Sequence, residues 1–160
     1  MYKLILYLML TVFAMTVYAL EIDEQISMNA LFQGKHGVDR AVHAAAQQTD
    51  AAKLARGIYS IDPLKARLAM DQYLQSNLSL DAQNRPLPGT FLQSPAVIEV
   101  FKIVNENENF PYTYTNAAYG YTVTLKKPGV ILIVRMEYPG TYKVLQPIVW
   151  HIKGAAEIVY

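Results

Sequence analysis

The chain has 160 residues, 52% of them hydrophobic and 17% charged, a globular balance far from that of a disordered segment. Its formal net charge is +1, and apart from Lys3 the basic and acidic residues cancel, so no electrostatic footprint for DNA or RNA is present. There is no cysteine, which excludes disulfides, thiolate zinc sites and cysteine nucleophiles.

The first element is Leu4–Leu20, LILYLMLTVFAMTVYAL, which lacks charge, Gly and Pro. Lys3 precedes it, and Glu21, Asp23 and Glu24 follow. As a helix it spans about 25 Å, slightly less than the ~30 Å hydrocarbon core, and Tyr2, Lys3 and Tyr18 can sit at the interfaces. Residues 4–20 then contact membrane lipid, with Lys3 inside and the remainder outside the cell membrane as a single-pass protein. The other reading is a secretory signal cut after Val17-Tyr18-Ala19, which releases the body. Both readings export the chain, and the absence of cysteine fits a bacterial envelope. The expected division is a membrane helix or signal-anchor over residues 1–20, a stalk and packing helix over 21–57, and an extracytoplasmic body over 58–160.

Beyond Leu20 no breaker stands before Gly34, and Ile22, Ile26, Ala30 and Leu31 recur at helical spacing, so the apolar helix is expected to continue as a stalk. Gly34 and Gly37 predict a kink. The alanine-rich run VDRAVHAAAQQTDAAKLAR then carries the helix to Gly57, in the position of a C-terminal cap. Asp62-Pro63 opens a second helix, with Leu64, Leu68, Tyr73, Leu74 and Leu78 as its apolar face and an end near Ser79. Asp81–Pro95 reads as an ordered, irregular connector.

From Ala96 the pattern becomes strand-like. VIEVFKIV is apolar on both faces, NENEN at 105–109 is a polar turn, and PYTYTN is an edge strand or a loop. Residues 121–127 alternate cleanly, and Pro128-Gly129 predicts a hairpin from them into VILIVRMEY. In the last strand Ile148, Trp150, Ile152, Ala156, Ile158 and Tyr160 share one face, with a bulge expected at Gly154. Helices followed by strands, without βαβ alternation, make the fold α+β: a long helix, a second helix and an antiparallel sheet of about four strands.

His36, Asp39 and His43 project from one helical face and are the only set with metal-ligand character, though their spacing is not the i, i+4 of helical two-histidine motifs. A solvated face is the plainer account. His151 lies mid-strand with no partner that the sequence can place. Glu106 and Glu108 stand in an asparagine-rich turn, where a solvated loop outweighs weak calcium binding. No phosphate loop, nucleophile elbow or HExxH is present. No catalytic, cofactor-binding or metal residue is therefore assigned, and an enzyme is not expected. Tyr112, Tyr114, Tyr119, Tyr121, Tyr138 and Tyr142 read as strand residues with partial burial, or as an aromatic contact surface. Ala41, Ala44, Ala45, Ala52 and Ala55 permit close helix packing, on the chain's own sheet or on another helix.

The apolar leader running into an outward helix, followed by VDRAVHAAAQQTD at 38–50, resembles the minor pilin-like proteins of tight-adherence (Tad) pilus systems, the TadE/TadG type. The residues before the apolar segment are only Met-Tyr-Lys, so the small residue and glutamate that mark a prepilin-peptidase substrate are not at its start. The resemblance implies a pilin-like fold and a non-enzymatic component of a pilus or secretion assembly. Its partners would be other proteins of that system, with oligomerisation open and no nucleic acid or cofactor involved. A secreted domain binding a peptide, glycan or wall ligand is the alternative, and a small hydrolase the third reading.

Overall fold

The computed structural model describes residues 2–90, 92–140 and 147–159. Helix α1 runs Tyr2–Ala46, α2 Ala51–Leu54 and α3 Pro63–Leu78. The strands are β1 Val97–Val104, β2 Tyr112–Asn116, β3 Tyr121–Leu125, β4 Gly129–Tyr138 and β5 Ile148–Glu157. The fold is α+β, but among the described residues the strands number five in two antiparallel sheets rather than about four in one: β1-β4-β5 and a separate β2-β3 ribbon. Helices α1 and α3 cover one face of the larger sheet, and the ribbon packs on the other.

Helix α1 buries Asp23, Ser27, Ala30, Gly34, Gly37, Val38, Ala41, Val42 and Ala45, a return every three or four residues that keeps one face on the body. Asp23 thus lies on the packed face, where Ile22 and Ile26 were expected to lead and are only half-buried. The helix is unbroken through Gly34 and Gly37. These glycines are sites of close approach: a Cβ on Gly34 would lie 2.6 Å from Ile152 Cδ1, and one on Gly37 2.6 Å from Leu78 Cδ2. The helix also ends at Ala46, eleven residues before Gly57. The returning chain captures the backbone there, with Asp50 N donating to Ser60 O (2.9 Å) and Asp62 N to Gln48 O (2.7 Å). Asp50 caps the short α2 instead, so local alanine propensity loses to tertiary pairing. Of the alanine stripe, Ala41 and Ala45 are buried in the chain's own core, whereas Ala52 and Ala55 are exposed beyond α1.

Helix α3 begins and ends where expected. Asp62 Oδ1 accepts from the amides of Leu64 and Lys65, Pro63 occupies the first turn, and Ser79 closes the helix with φ 53°. Its buried face differs from the expectation. Ala66, Met70, Leu74 and Leu78 point inward at a strict four-residue interval, while Leu64 and Leu68 remain 79% and 70% exposed. The connector that follows is irregular but anchored, since Asp81 Oδ1 accepts from Gln83 N and Arg85 N and Leu92 is buried.

Strand β4 is central and buried on both sides over most of its length. Val130, Leu132, Val134 and Met136 face the helices, beside Ile152, Ala156 and Ile158 of the last segment. Ile131 faces the other way, into a second cluster with Val104, Leu125, Tyr112, Tyr114 and Tyr121. The hairpin expected across Pro128-Gly129 is not formed. β3 pairs with β2, joined by a turn over Ala117–Tyr119, and Thr113 and Thr124 are 3.0 Å apart across it. β4 pairs with β1 and β5. Nor is there a bulge at Gly154, which pairs in register with Leu132; its missing side chain makes room for Val38, 3.0 Å from where a Cβ would be. The register shift lies in β1, between Ile98 and Val100. Tyr142 and Tyr160 lie outside the described residues.

Candidate functional site

The least compensated feature of the molecule is the amino-terminal half of α1. From Tyr2 to Tyr18 every side chain is exposed, and the most apolar eighteen-residue window has a mean hydropathy of 2.0 with none of it buried. This is one helix long and apolar enough to cross a membrane, a length and composition that a signal sequence also has. Its two threonine hydroxyls both bond back along the helix: Thr11 Oγ1 to Tyr7 O and Thr16 Oγ1 to Val12 O, each at 2.9 Å. Neither therefore needs water or a partner helix.

The helix leaves the body beside the ends of β4 and β5. Asp23 is 4% exposed there, and Tyr138 Oη donates to its Oδ1 at 3.3 Å. Tyr138 in turn stacks on Trp150, with ring centroids 6.3 Å apart and planes at 24°. A cleft of about 530 Å³, lined by Val17, Leu20, Asp23, Ser27, Tyr138 and Ile148 among others, opens at this junction. None of the expectations from the sequence places Asp23 against Tyr138. A signal for it exists: Asp23, Ser27, Ala30 and Gly34 follow one another at four, three and four residues, the spacing of a single helix face.

The residues considered for metal or acid–base chemistry are scattered. His36 and His43 are exposed on α1, and Asp39 between them is held by Lys35 Nζ at 2.6 Å. Among the described residues no group of three or more His, Asp and Glu side chains is arranged to hold a metal ion. His151 is exposed on β5, its ring 5.1 Å from that of Tyr119 and its backbone opposite Arg135. Glu99 beside it accepts from Tyr119 Oη at 3.1 Å and from Arg135 Nε at 3.2 Å.

The acidic turn has a structural use. Asn105 accepts from Ile61 N (2.8 Å) and donates to Ile61 O (2.9 Å), a side chain pairing like a strand residue. Glu106 Oε1 takes Lys53 Nζ at 2.6 Å. Burial works against its charge, but the bonds from Lys53 and Ser60 outweigh that and hold its carboxyl below the ordinary value. The tyrosines of β2 and β3 are half-buried over the sheet, and Lys102 Nζ lies 5.0 Å and 5.6 Å from the rings of Tyr112 and Tyr114 while Lys153 Nζ lies 6.0 Å from that of Tyr121. A hydrogen bond to Tyr112 Oη at 2.6 Å raises the Lys102 pKa, against the effect of burial.

Comparison with models of known protein families, with curated proteins and with solved structures gives no match, so fold and geometry carry the functional reading.

Proposed function

We propose that the chain is a membrane-anchored, extracytoplasmic protein of pilin-like design that acts by protein–protein contact in a bacterial surface appendage or secretion assembly. The observation that supports this best is the continuity of α1, a single helix whose first half is apolar and uncovered and whose second half is the packing element of the body. At 1.5 Å per residue its 45 residues make a rod about 67 Å long. Such a rod fixes the body at a set height and orientation above a bilayer. Lys3 on one side of the apolar segment and the acids Glu21 and Glu24 on the other favour an inside amino terminus. The family resemblance of Val38–Asp50 points to the same kind of assembly.

The test is fractionation of cells carrying the full chain, with alkaline carbonate extraction and amino-terminal sequencing. A carbonate-resistant chain that retains residues 2–19 supports the anchor. A second reading, a secreted binding domain, draws on one observation: every side chain from Tyr2 to Tyr18 is exposed, so cleavage after Ala19 removes no buried residue of the core. A soluble product beginning at Leu20 would select it. The hydrolase reading predicts that replacing His36, His43 and His151 together abolishes the phenotype, and survival of the phenotype removes it.

A further inference from the structure

We infer that the groove between α1 and α3 binds an anionic polysaccharide, which sets its carboxylate or phosphate on His36, Arg40 and His43 and lays a sugar ring against Tyr73. The site goes beyond the proposed assembly role and does not depend on whether the apolar leader is kept.

His36, Arg40 and His43 fall within a wedge of about 60° and about 10 Å of helix, and all three are exposed. With Gln47 and Tyr73 they line a hollow of about 290 Å³. That is room for about ten waters, the scale of one sugar unit. A second hollow of about 280 Å³ shares His36 and Arg40 and extends to Gln33 and Asn77. The two together make an open groove, which accepts a length of polymer rather than enclosing a small molecule.

The groove is a surface of hydrogen-bond donors. Arg40 Nη1 donates to Asn77 Oδ1, and Asn77 Nδ2 donates to Tyr73 O, each at 2.7 Å. A neutral amide, itself fixed by backbone, thus holds the guanidinium in place without cancelling its charge. Among the described residues no ion pair involves Arg40, and the imidazoles of His36 and His43 bond nothing.

The one acid that lines the groove, Asp39, is already committed. Lys35 Nζ holds its Oδ1 at 2.6 Å and also donates to Lys153 O on β5. The same Oδ1 lies 3.4 Å from where a Cβ on Gly154 would be, so the carboxylate is turned toward the sheet. From α3 the facing groups are Tyr73 and the neutral Asn77, and Asp71 is taken by Arg67 at 2.8 Å. The groove therefore offers one fixed positive charge, with two more when the imidazoles are protonated. Histidine is the side chain that gains charge between about pH 8 and pH 5.

A planar guanidinium between imidazoles suits an oxyanion, and the ring of Tyr73, 49% exposed beside them, suits the apolar face of a sugar. Position argues against a lipid headgroup as the source of that anion. At 1.5 Å per residue Arg40 stands about 30 Å along α1 from Leu20, well beyond the interfacial layer. A polymer extending outward reaches it.

The test is fluorescence polarisation with the full chain in neutral detergent, at about pH 7.5 and about pH 5.5. The labelled probes are oligogalacturonate, a sugar-phosphate oligomer, neutral dextran, and polyglutamate, which has carboxylates but no sugar ring. At least one of the two anionic glycans is expected to bind, about tenfold more tightly at the lower pH. Dextran should not bind, and polyglutamate should bind about fivefold more weakly than the better glycan. The chain has three histidines, so the pH profile can be assigned in full. His36→Gln with His43→Gln should abolish it, and His151→Gln should leave it unchanged. Arg40→Gln should weaken glycan binding about fivefold at both pH values, and Tyr73→Ala should weaken the glycan but not polyglutamate. These side chains are exposed, and unchanged helicity confirms that each variant folds. Binding of neither anionic glycan, equal binding of dextran or polyglutamate, or a pH profile that survives the double histidine change would each overturn the inference. A carbonate-resistant chain that binds no anionic glycan refutes only the site, and a chain released at Leu20 that still binds refutes only the anchor.

Discussion

Replacing Gly37 with alanine separates two explanations of the glycines in α1. If they serve as a hinge, alanine stiffens the helix and stabilises it by about 1 kcal/mol, the difference in helix propensity. The packing predicts the opposite. A Cβ at Gly37 meets Leu78 Cδ2 at 2.6 Å and Cγ at 3.0 Å, against an optimum of about 3.5–4.0 Å for two carbons. Leu78 is fully buried, and the branch carbon is near its backbone, so it cannot swing clear. Overpacking of this kind costs about 1–3 kcal/mol, which exceeds the propensity gain and leaves a net loss of about 1 kcal/mol. Leu78→Ala alone should cost about 2–5 kcal/mol, and in the double variant the new methyl enters the vacated space, so the two losses should add to less than their sum by about 1–2 kcal/mol. The assay is urea unfolding of the full chain in detergent, followed by the fluorescence of Trp150, the single tryptophan. A Gly37→Ala variant more stable than the parent, with strictly additive losses in the double variant, would refute the close-approach argument.

Gly34→Ala should be milder, because its Cβ meets the flexible ends of Met136 and Ile152, which can move; thermal unfolding of the two alanine variants side by side checks the order. Leu64→Ser and Leu68→Ser should each change stability by less than about 0.5 kcal/mol, whereas Met70→Ala or Leu74→Ala should cost about 2–5 kcal/mol; equal effects on both faces would contradict the orientation of α3. Tyr138→Phe removes the hydroxyl that donates to buried Asp23 and should cost about 1 kcal/mol, with hydrogen exchange rising first over the turns around Asp23. Asp62 gives a pH test. The Lys65 amide, ahead of the Leu64 amide and the Lys65 ammonium, holds its carboxyl below the ordinary aspartate value. The stability it adds is thus complete above about pH 4 and is lost as pH falls through the lowered value, and Asp62→Asn should remove that part of the acid dependence of α3 helicity.

What the sequence made legible is what neighbouring residues decide among themselves. The Asp62-Pro63 start and Ser79 stop of α3, the apolar rod of Leu4–Leu20 and the in-and-out alternation of Ile148–Ile158 all depend on local patterns. The errors arise where a distant segment competes. Pro128-Gly129 is a good turn dipeptide, yet Tyr121, Val123 and Leu125 find an apolar surface on the outer face of β1 and β4, and the chain turns between layers there instead of within one sheet. Alanine propensity over Ala51–Ala55 yields to backbone bonds with Ser60 and Asp62. Leu64 and Leu68 looked like core because leucine usually is, but the space beneath α3 accepts the smaller Ala66 where the helix crosses the body. The junction at Asp23 was hidden for a related reason, since an acid on a packed face is visible only when Tyr138, far along the chain, is known to lie opposite it.

The pairing of α1 with β5 sets the order in which this molecule can be finished. Val38 and Val42, on an element synthesised well before β5, rest against that strand around Gly154. Until β5 is in place, the part of α1 around Val38 and Val42 lacks the strand it packs on, and β4 lacks one of its two neighbours. Local helices can form early, but the core closes only through contacts of long sequence separation, the slow class in folding kinetics. An incomplete chain therefore leaves this part of the core open, and the core is finished only when β5 has joined β4.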